Sequence, residues 1–219
     1  MKDVLFYGDS NTWGFDPATS GRYPLGARWT TVCARALGPG YNCVPEGMNG
    51  RTTFFDDPEK GSRNGLTGLD YALQAHKPLD LLVIMLGTND MKYTDAEGSA
   101  EGMERLIRRA LTVNGRFGTS SRVFPEDGPE PGTASGRHIL LVSPILLKTH
   151  IRERGDDIES SARLAGLYHG VAEAYGLHFM DAADHASASR IDGIHLGPDG
   201  HERLGLAIAE CIKGIFDND

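Results

Sequence analysis

The feature that most constrains the fold is a set of five short apolar runs, each closed by turn residues. Val4–Tyr7, Tyr41–Val44, Leu81–Leu86, Ile139–Val142 and Leu177–Met180 read as strands. "LLVIML" and "ILLV" are continuous and aliphatic rather than alternating, which suits strands covered on both faces. Helix-like patterns lie between and after them: Trp29–Leu37, Leu66–Ala75, Ala100–Leu111, Ile158–Tyr175 and Asp199–Phe216. Within Ala100–Leu111, Met103, Leu106, Ile107 and Ala110 share one face, and Glu101/Arg105 and Glu104/Arg108 are i,i+4 pairs. Pro198 stands where a helix's first turn tolerates proline. Strands alternating with helices imply an α/β fold with a central parallel five-stranded sheet and helices on both sides.

The chain has 219 residues. That suits one domain spanning residues 1–219, and a domain of this size buries roughly 70% of its unfolded surface without staples. One segment breaks the rhythm. Residues 114–137, "NGRFGTSSRVFPEDGPEPGTASGR", are rich in Gly, Pro and Ser and long for a helix-to-strand connection. They read as a surface insertion, with a subunit-contact loop as the sharper alternative. The formal charge of −8 argues against a nucleic-acid or anionic-membrane partner, since both need a positive field. Cys33, Cys43 and Cys211 fit neither a disulfide framework nor a zinc site. They read as reduced, as in a cytoplasmic protein. No apolar stretch has the length of a secretory core or a membrane span.

In doubly wound sheets, ligands bind beyond the carboxyl ends of the strands. Gly8-Asp9-Ser10-Asn11, Glu46 to Arg51, Gly87-Thr88-Asn89-Asp90, Ser143-Pro144 and Asp192-Gly193-Ile194-His195 follow successive strands. All should project from the same edge. A serine becomes a nucleophile when a histidine takes its proton and a carboxylate orients that histidine. Asp192 and His195 supply both partners for Ser10 from one turn. Acyl transfer also needs donors for the oxyanion. The Ser10 N–H, the Gly50 N–H and the Asn89 amide stand where such donors can point inward. Each residue alone has a plainer reading. Asp and Ser are common in turns, glycine permits tight bends, and a lone histidine can be a surface group. The coincidence of all these roles at strand ends carries the case.

Four quoted blocks also carry a resemblance. "FYGDSNTWG", "EGMNGRTT", "MLGTND" and "DGIHL" resemble, in order, the four blocks of the SGNH (GDSL-type) hydrolases. The likeness runs from about residue 3 to residue 210 and is nearest the bacterial arylesterase and acyltransferase branch. It implies a flavodoxin-like three-layer α/β/α sandwich. It also implies Ser10 as nucleophile, His195 as base with Asp192 behind it, and Ser10, Gly50 and Asn89 as oxyanion donors. Block two offers both Gly47 and Gly50; Gly50 is preferred because it directly precedes "RTT". The implied activity is hydrolysis of short, acetyl-type carboxylic esters through an acyl-enzyme, with acyl transfer to alcohols as a second outcome. No metal or organic cofactor is needed. The resemblance further implies a homo-oligomer.

Residues beside the catalytic blocks should line the substrate pocket: Asn11, Trp13 and Phe15 after the nucleophile, Thr88 and Lys92 around Asn89, Ile145 after the fourth strand, and Ile194 before His195. Aromatics near a site often wall it, although Trp13 fits core packing equally well and Lys92 fits a solvated surface charge. The partner expected is a small-molecule ester. The nearest rival is O-deacetylation of a sugar or xylan-type carbohydrate by the same triad. A non-catalytic binding protein on the same fold is the rival from another class. Asp16–Gly26 reads as a site-entrance or contact loop.

Overall fold

The computed structural model describes residues 1–112, 136, 138–152 and 155–217. Its elements are β1 (Lys2–Gly8), α1 (Ser10–Trp13), β2 (Phe15–Asp16), β3 (Gly21–Arg22), α2 (Trp29–Leu37), β4 (Tyr41–Gly47) and α3 (Gly65–His76). Then follow β5 (Leu81–Met85), α4 (Ala96–Thr112), β6 (Ile139–Ser143), α5 (Asp157–Tyr175), β7 (His178–Asp181) and α6 (Pro198–Asp217). Three short 3-10 turns complete the description. The expected insertion at 114–137 lies outside the described residues, apart from Gly136.

The five long strands form one sheet in the order β4-β1-β5-β6-β7, and every neighbouring pair is parallel. This is the flavodoxin-like order, which reverses direction beside β1 and so opens a crevice there. The register sets the level of that crevice. Gly8 pairs with Gly47 on one side and Met85 on the other, so β1, β4 and β5 end together. The chain segments that leave them start from one plane.

Pleating divides the strand residues between two cores. Leu5, Tyr7, Leu82, Ile84 and Leu141 face α3, α4 and α5, whose Leu69, Leu73, Met103, Leu106 and Leu164 close that side. Val4, Phe6, Leu81, Val83, Leu140 and Val142 face α2 and α6, meeting Trp29, Cys33, Leu204 and Ile208. The continuous aliphatic runs are thus required by burial on both faces. Helix α4 buries the predicted stripe of Met103, Leu106, Ile107 and Ala110. Its Glu101–Arg105 pair is exposed and adds only a few tenths of a kcal/mol. Burial pushes the Cys43 thiol up to about 11 and Cys33 higher still, so both are poor nucleophiles. No helix among the described residues is long and apolar enough to cross a membrane.

Candidate active site

The site starts where β1 runs out of side chains. Asp9 caps α1, its carboxylate accepting the Asn11 N–H at 2.9 Å. Helix α1 has only four residues and ends at Gly14. It holds Ser10 on its first turn, with the Ser10 N–H pointing off the helix's amino end. The elbow packs directly on β4. A Cβ on Gly47 would lie 2.1 Å from the Trp13 nitrogen, so glycine there is a close-approach requirement. That explains two glycines in one block. Gly47 seats the Ser10 turn, while Gly50, at φ +78°, faces the cavity.

The loop before α6 delivers the second group. Asp192 Oδ1 accepts the N–H groups of Ile194 and His195, each at 3.0 Å. Asp192 Oδ2 lies 2.6 Å from His195 Nδ1. Burial raises the Asp192 pKa, but the hydrogen bonds from the His195 ring and these two N–H groups outweigh it, leaving the carboxyl below its ordinary value. An ionised carboxylate only accepts, so Nδ1 carries the proton and Nε2 presents its lone pair. That lone pair meets Ser10 Oγ at 2.9 Å. Phe15 lies against the His195 ring, centroids 4.4 Å apart, and limits its rotation.

Blocks two and three interlock beneath the site. Asn89 Nδ2 donates to the Arg51 carbonyl at 3.2 Å, and Lys92 Nζ donates to Asn89 Oδ1 at 2.7 Å. The amide is therefore oriented from both ends, and its second N–H has no protein acceptor among the described residues. The Arg51 guanidinium donates to the carbonyls of Gly8 and Glu46 and stacks over Tyr7 at 4.1 Å. It joins the ends of β1 and β4. Asp90 accepts from the Thr53 N–H at 2.8 Å, and its other oxygen lies 2.6 Å from Thr53 Oγ1 and 2.7 Å from Ser99 Oγ. These links give a physical reason for the second threonine of "RTT" and for the aspartate of "GTND"; the first, Thr52, donates through Oγ1 to the Phe55 carbonyl at 2.6 Å.

Asp90 is fully buried. Burial pushes its carboxyl up to about 7, against hydrogen bonds from Thr53 and Ser99. Between about pH 4 and pH 7 the folded chain holds one proton more here than the unfolded chain. This group's contribution to unfolding free energy therefore falls with rising pH, by at most about 1.4 kcal/mol per unit, and levels off above pH 7. His201 acts in the opposite sense: burial depresses it to about 4, so its contribution grows up to about pH 6.5. Asp90→Asn keeps an acceptor for Thr53 and removes only the first effect. The variant should gain on wild type by about 1–3 kcal/mol from pH 5 to 7.5, read from urea midpoints. A pH-independent difference would show that Asp90 does not titrate in this range.

A cavity of about 310 Å³ opens over Ser10. Gly50, Asn89 and His195 line it together with Ser10. Of the predicted wall residues, Phe15, Thr88, Lys92 and Ile194 also line it. Asn11, Trp13 and Ile145 do not. Asn11 is buried; its Oδ1 accepts the Leu196 N–H at 2.8 Å, tying the Ser10 turn to the His195 loop. Trp13 turns to the surface under the Arg22 guanidinium, 4.7 Å from its ring. Ile145 is in the core on the α2–α6 side. Asn49, Asp57, Lys60, Arg63 and Ile151 line the cavity unforeseen. Asn49 had a signal, since it lies inside the quoted block two. The other four come from irregular segments with no periodicity. The Asp16–Gly26 stretch contributes the β2–β3 hairpin, which begins at Phe15 and so borders the site.

Comparison with known proteins fits this geometry. Residues 6–203 match the model of the GDSL-like lipase/acylhydrolase family. The chain belongs to that family. This family member is similar to a solved carbohydrate acetylesterase family member from Sinorhizobium meliloti, with 36% identity, TM-score 0.84, and coverage of 99% of this chain and 100% of the other. Another solved structure, of Est24, a carbohydrate acetylesterase from Sinorhizobium meliloti, shows 38% identity and TM-score 0.83 over 99% and 100% of the two chains. An aryl esterase from M. smegmatis shows 33% identity and TM-score 0.83 over 98% and 100%. No match is found among curated proteins. This GDSL-like protein is a carboxylic ester hydrolase.

Proposed function

We propose that the protein is a serine esterase for short acyl groups, acetyl above all, working through Ser10, His195 and Asp192. The observation that carries this reading is the continuous chain of hydrogen bonds from Ser10 Oγ to His195 Nε2 at 2.9 Å and from His195 Nδ1 to Asp192 at 2.6 Å. His195 removes the Ser10 proton as Oγ attacks the ester carbonyl. The tetrahedral oxyanion takes the Ser10 N–H, the Gly50 N–H and the free N–H of Asn89. Neither backbone N–H has a protein acceptor among the described residues. His195 then protonates the departing alcohol, and water or another alcohol resolves the acyl-enzyme. Asp192 stays ionised throughout and balances the imidazolium.

Support for short acyl groups comes from the modest cavity and from relatives named as acetylesterases and an aryl esterase. A p-nitrophenyl ester series from acetyl to long chains, run with an alcohol acceptor and with fluorophosphonate labelling, tests the proposal. We expect the highest kcat/KM at acetyl and label on Ser10. Label absent from Ser10, or activity rising toward long chains, overturns it. Product partition with the acceptor reports acyl transfer directly.

A second reading, deacetylation of a carbohydrate, is favoured by the polar wall. Asn49, Arg63, Thr88 and Lys92 line the cavity, and relatives are named as carbohydrate acetylesterases. A hydroxyl-rich ligand can supply partners that an aryl ester cannot. A panel of acetylated saccharides run beside aryl acetates separates the two.

A further inference from the structure

The walls of this cavity carry a charge pattern opposite to that of the whole chain. The protein has a formal charge of −8, yet Lys60, Arg63 and Lys92 line the space over Ser10 against one lining carboxylate, Asp57. That carboxylate already accepts the N–H groups of Glu59 and Lys60 at 2.9 and 3.0 Å. The cations flank the two oxyanion donors supplied by other strands. A Cβ placed on Gly50 would touch Arg63 Cδ and Nε at 3.4 Å, so the Arg63 side chain lies along Gly50. Lys92 Nζ is bonded to Asn89. No carboxylate forms an ion pair with Lys60 or Arg63 among the described residues, and Arg63 Nε lacks any hydrogen-bond partner.

Three cations against one carboxylate leave a net positive charge in the cavity wall, and an anion placed among them is attracted to it. We infer that the cavity mouth recognises an oxyanion group on the substrate, so that the preferred ester carries a carboxylate or phosphate close to its scissile bond. Arg63 supplies a planar fork suited to such a group, and Lys60 a mobile point charge beside it. Lys92 is already committed to Asn89 and adds field rather than a contact. The inference rests on the esterase reading and names its substrate class. Cations that only steadied the reacting oxyanion would speed charged and neutral esters alike. A binding role changes their ratio.

The test compares matched esters. 4-Acetoxybenzoate against methyl 4-acetoxybenzoate places the anion in the alcohol part. Monomethyl glutarate against dimethyl glutarate places it in the acyl part. Each kcat/KM is divided by the hydroxide-catalysed rate of the same ester. In at least one pair the anionic ester should be preferred by about tenfold or more at low salt, and the preference should shrink at high salt. In the double variant Lys60→Gln/Arg63→Gln the ratio should fall to near one. Both esters are assayed on one preparation, so partial misfolding cancels from the ratio. Hydrolysis of neutral esters with no preference in either pair, or a preference that survives the double variant, overturns the inference and leaves the esterase standing. No hydrolysis of any ester, with Ser10 unlabelled by a fluorophosphonate, overturns the esterase reading and this inference with it.

Discussion

Ser10→Ala should lower kcat on p-nitrophenyl acetate by about four to six orders of magnitude and leave the fold intact. On the proposed mechanism the magnitude follows from removal of the attacking oxygen itself. His195 can then act only on water, with no covalent intermediate to divide the barrier. What remains is rate supplied by the oxyanion donors, which the substitution does not touch. The fold should survive because Ser10 Oγ has His195 Nε2 as its partner and faces the cavity. The bonds that shape the elbow belong to other groups: Asp9 to the Asn11 N–H, and Asn11 to the Leu196 N–H. Thermal unfolding should shift by no more than a surface substitution does, about 0.5 kcal/mol. A folded variant with undiminished turnover would sink the assignment. Loss of activity accompanied by loss of the folded state would not test it, so both are measured on one sample, and Ser10→Cys, which keeps a nucleophile, serves as the second variant.

The elements that could be read from the sequence are those with a long enough period. All five sheet strands and the long helices repeat an apolar pattern over several residues. Strand β4 was the weakest, because the expected run stops at Val44 while the strand continues through Pro45 to Gly47. It is an edge strand, where proline loses no ladder bond and half-exposed residues blur the pattern. Helix α1 and the β2–β3 hairpin are too short to show any period. The same division runs through the site. The sequence brings Ser10, His195, Gly50 and Asn89 to one cavity, with Asp192 behind His195, because their residue types suggest a chemistry and the strand ends give them an address. Asn11 lies outside the cavity lining because nearness to Ser10 in sequence does not say which way a side chain turns; its partner Leu196 lies 185 positions away. Ile145 lies outside it for the same reason, packing into the core beyond a strand end. Arg63 and Lys60 reach the cavity from the connection between β4 and α3, where no periodicity announces them.

Asn89→Ala should lower kcat by about 10²–10³-fold with a much smaller change in KM, because in the proposed oxyanion role its donor acts on charge that exists only in the transition state. Orientation is what makes the loss large. Lys92 Nζ holds Oδ1 and the Arg51 carbonyl holds one N–H of Nδ2. The remaining N–H therefore waits in place, and no reorganisation is needed as the oxyanion forms. A flipped amide would set its oxygen against the Arg51 carbonyl and its NH₂ against an ammonium, both repulsive. The same logic ranks a second substitution. Asn89→Asp keeps the shape and can still accept from Lys92, but it puts a carboxylate where the developing oxyanion must sit. It should cost at least as much as alanine at neutral pH, and it should recover part of that loss as pH falls and the carboxyl is protonated. A residue that merely shaped the turn would show the reverse order, with the isosteric aspartate milder than alanine. Single-turnover acylation rates of the three proteins decide between them, because they isolate the step in which the oxyanion first appears.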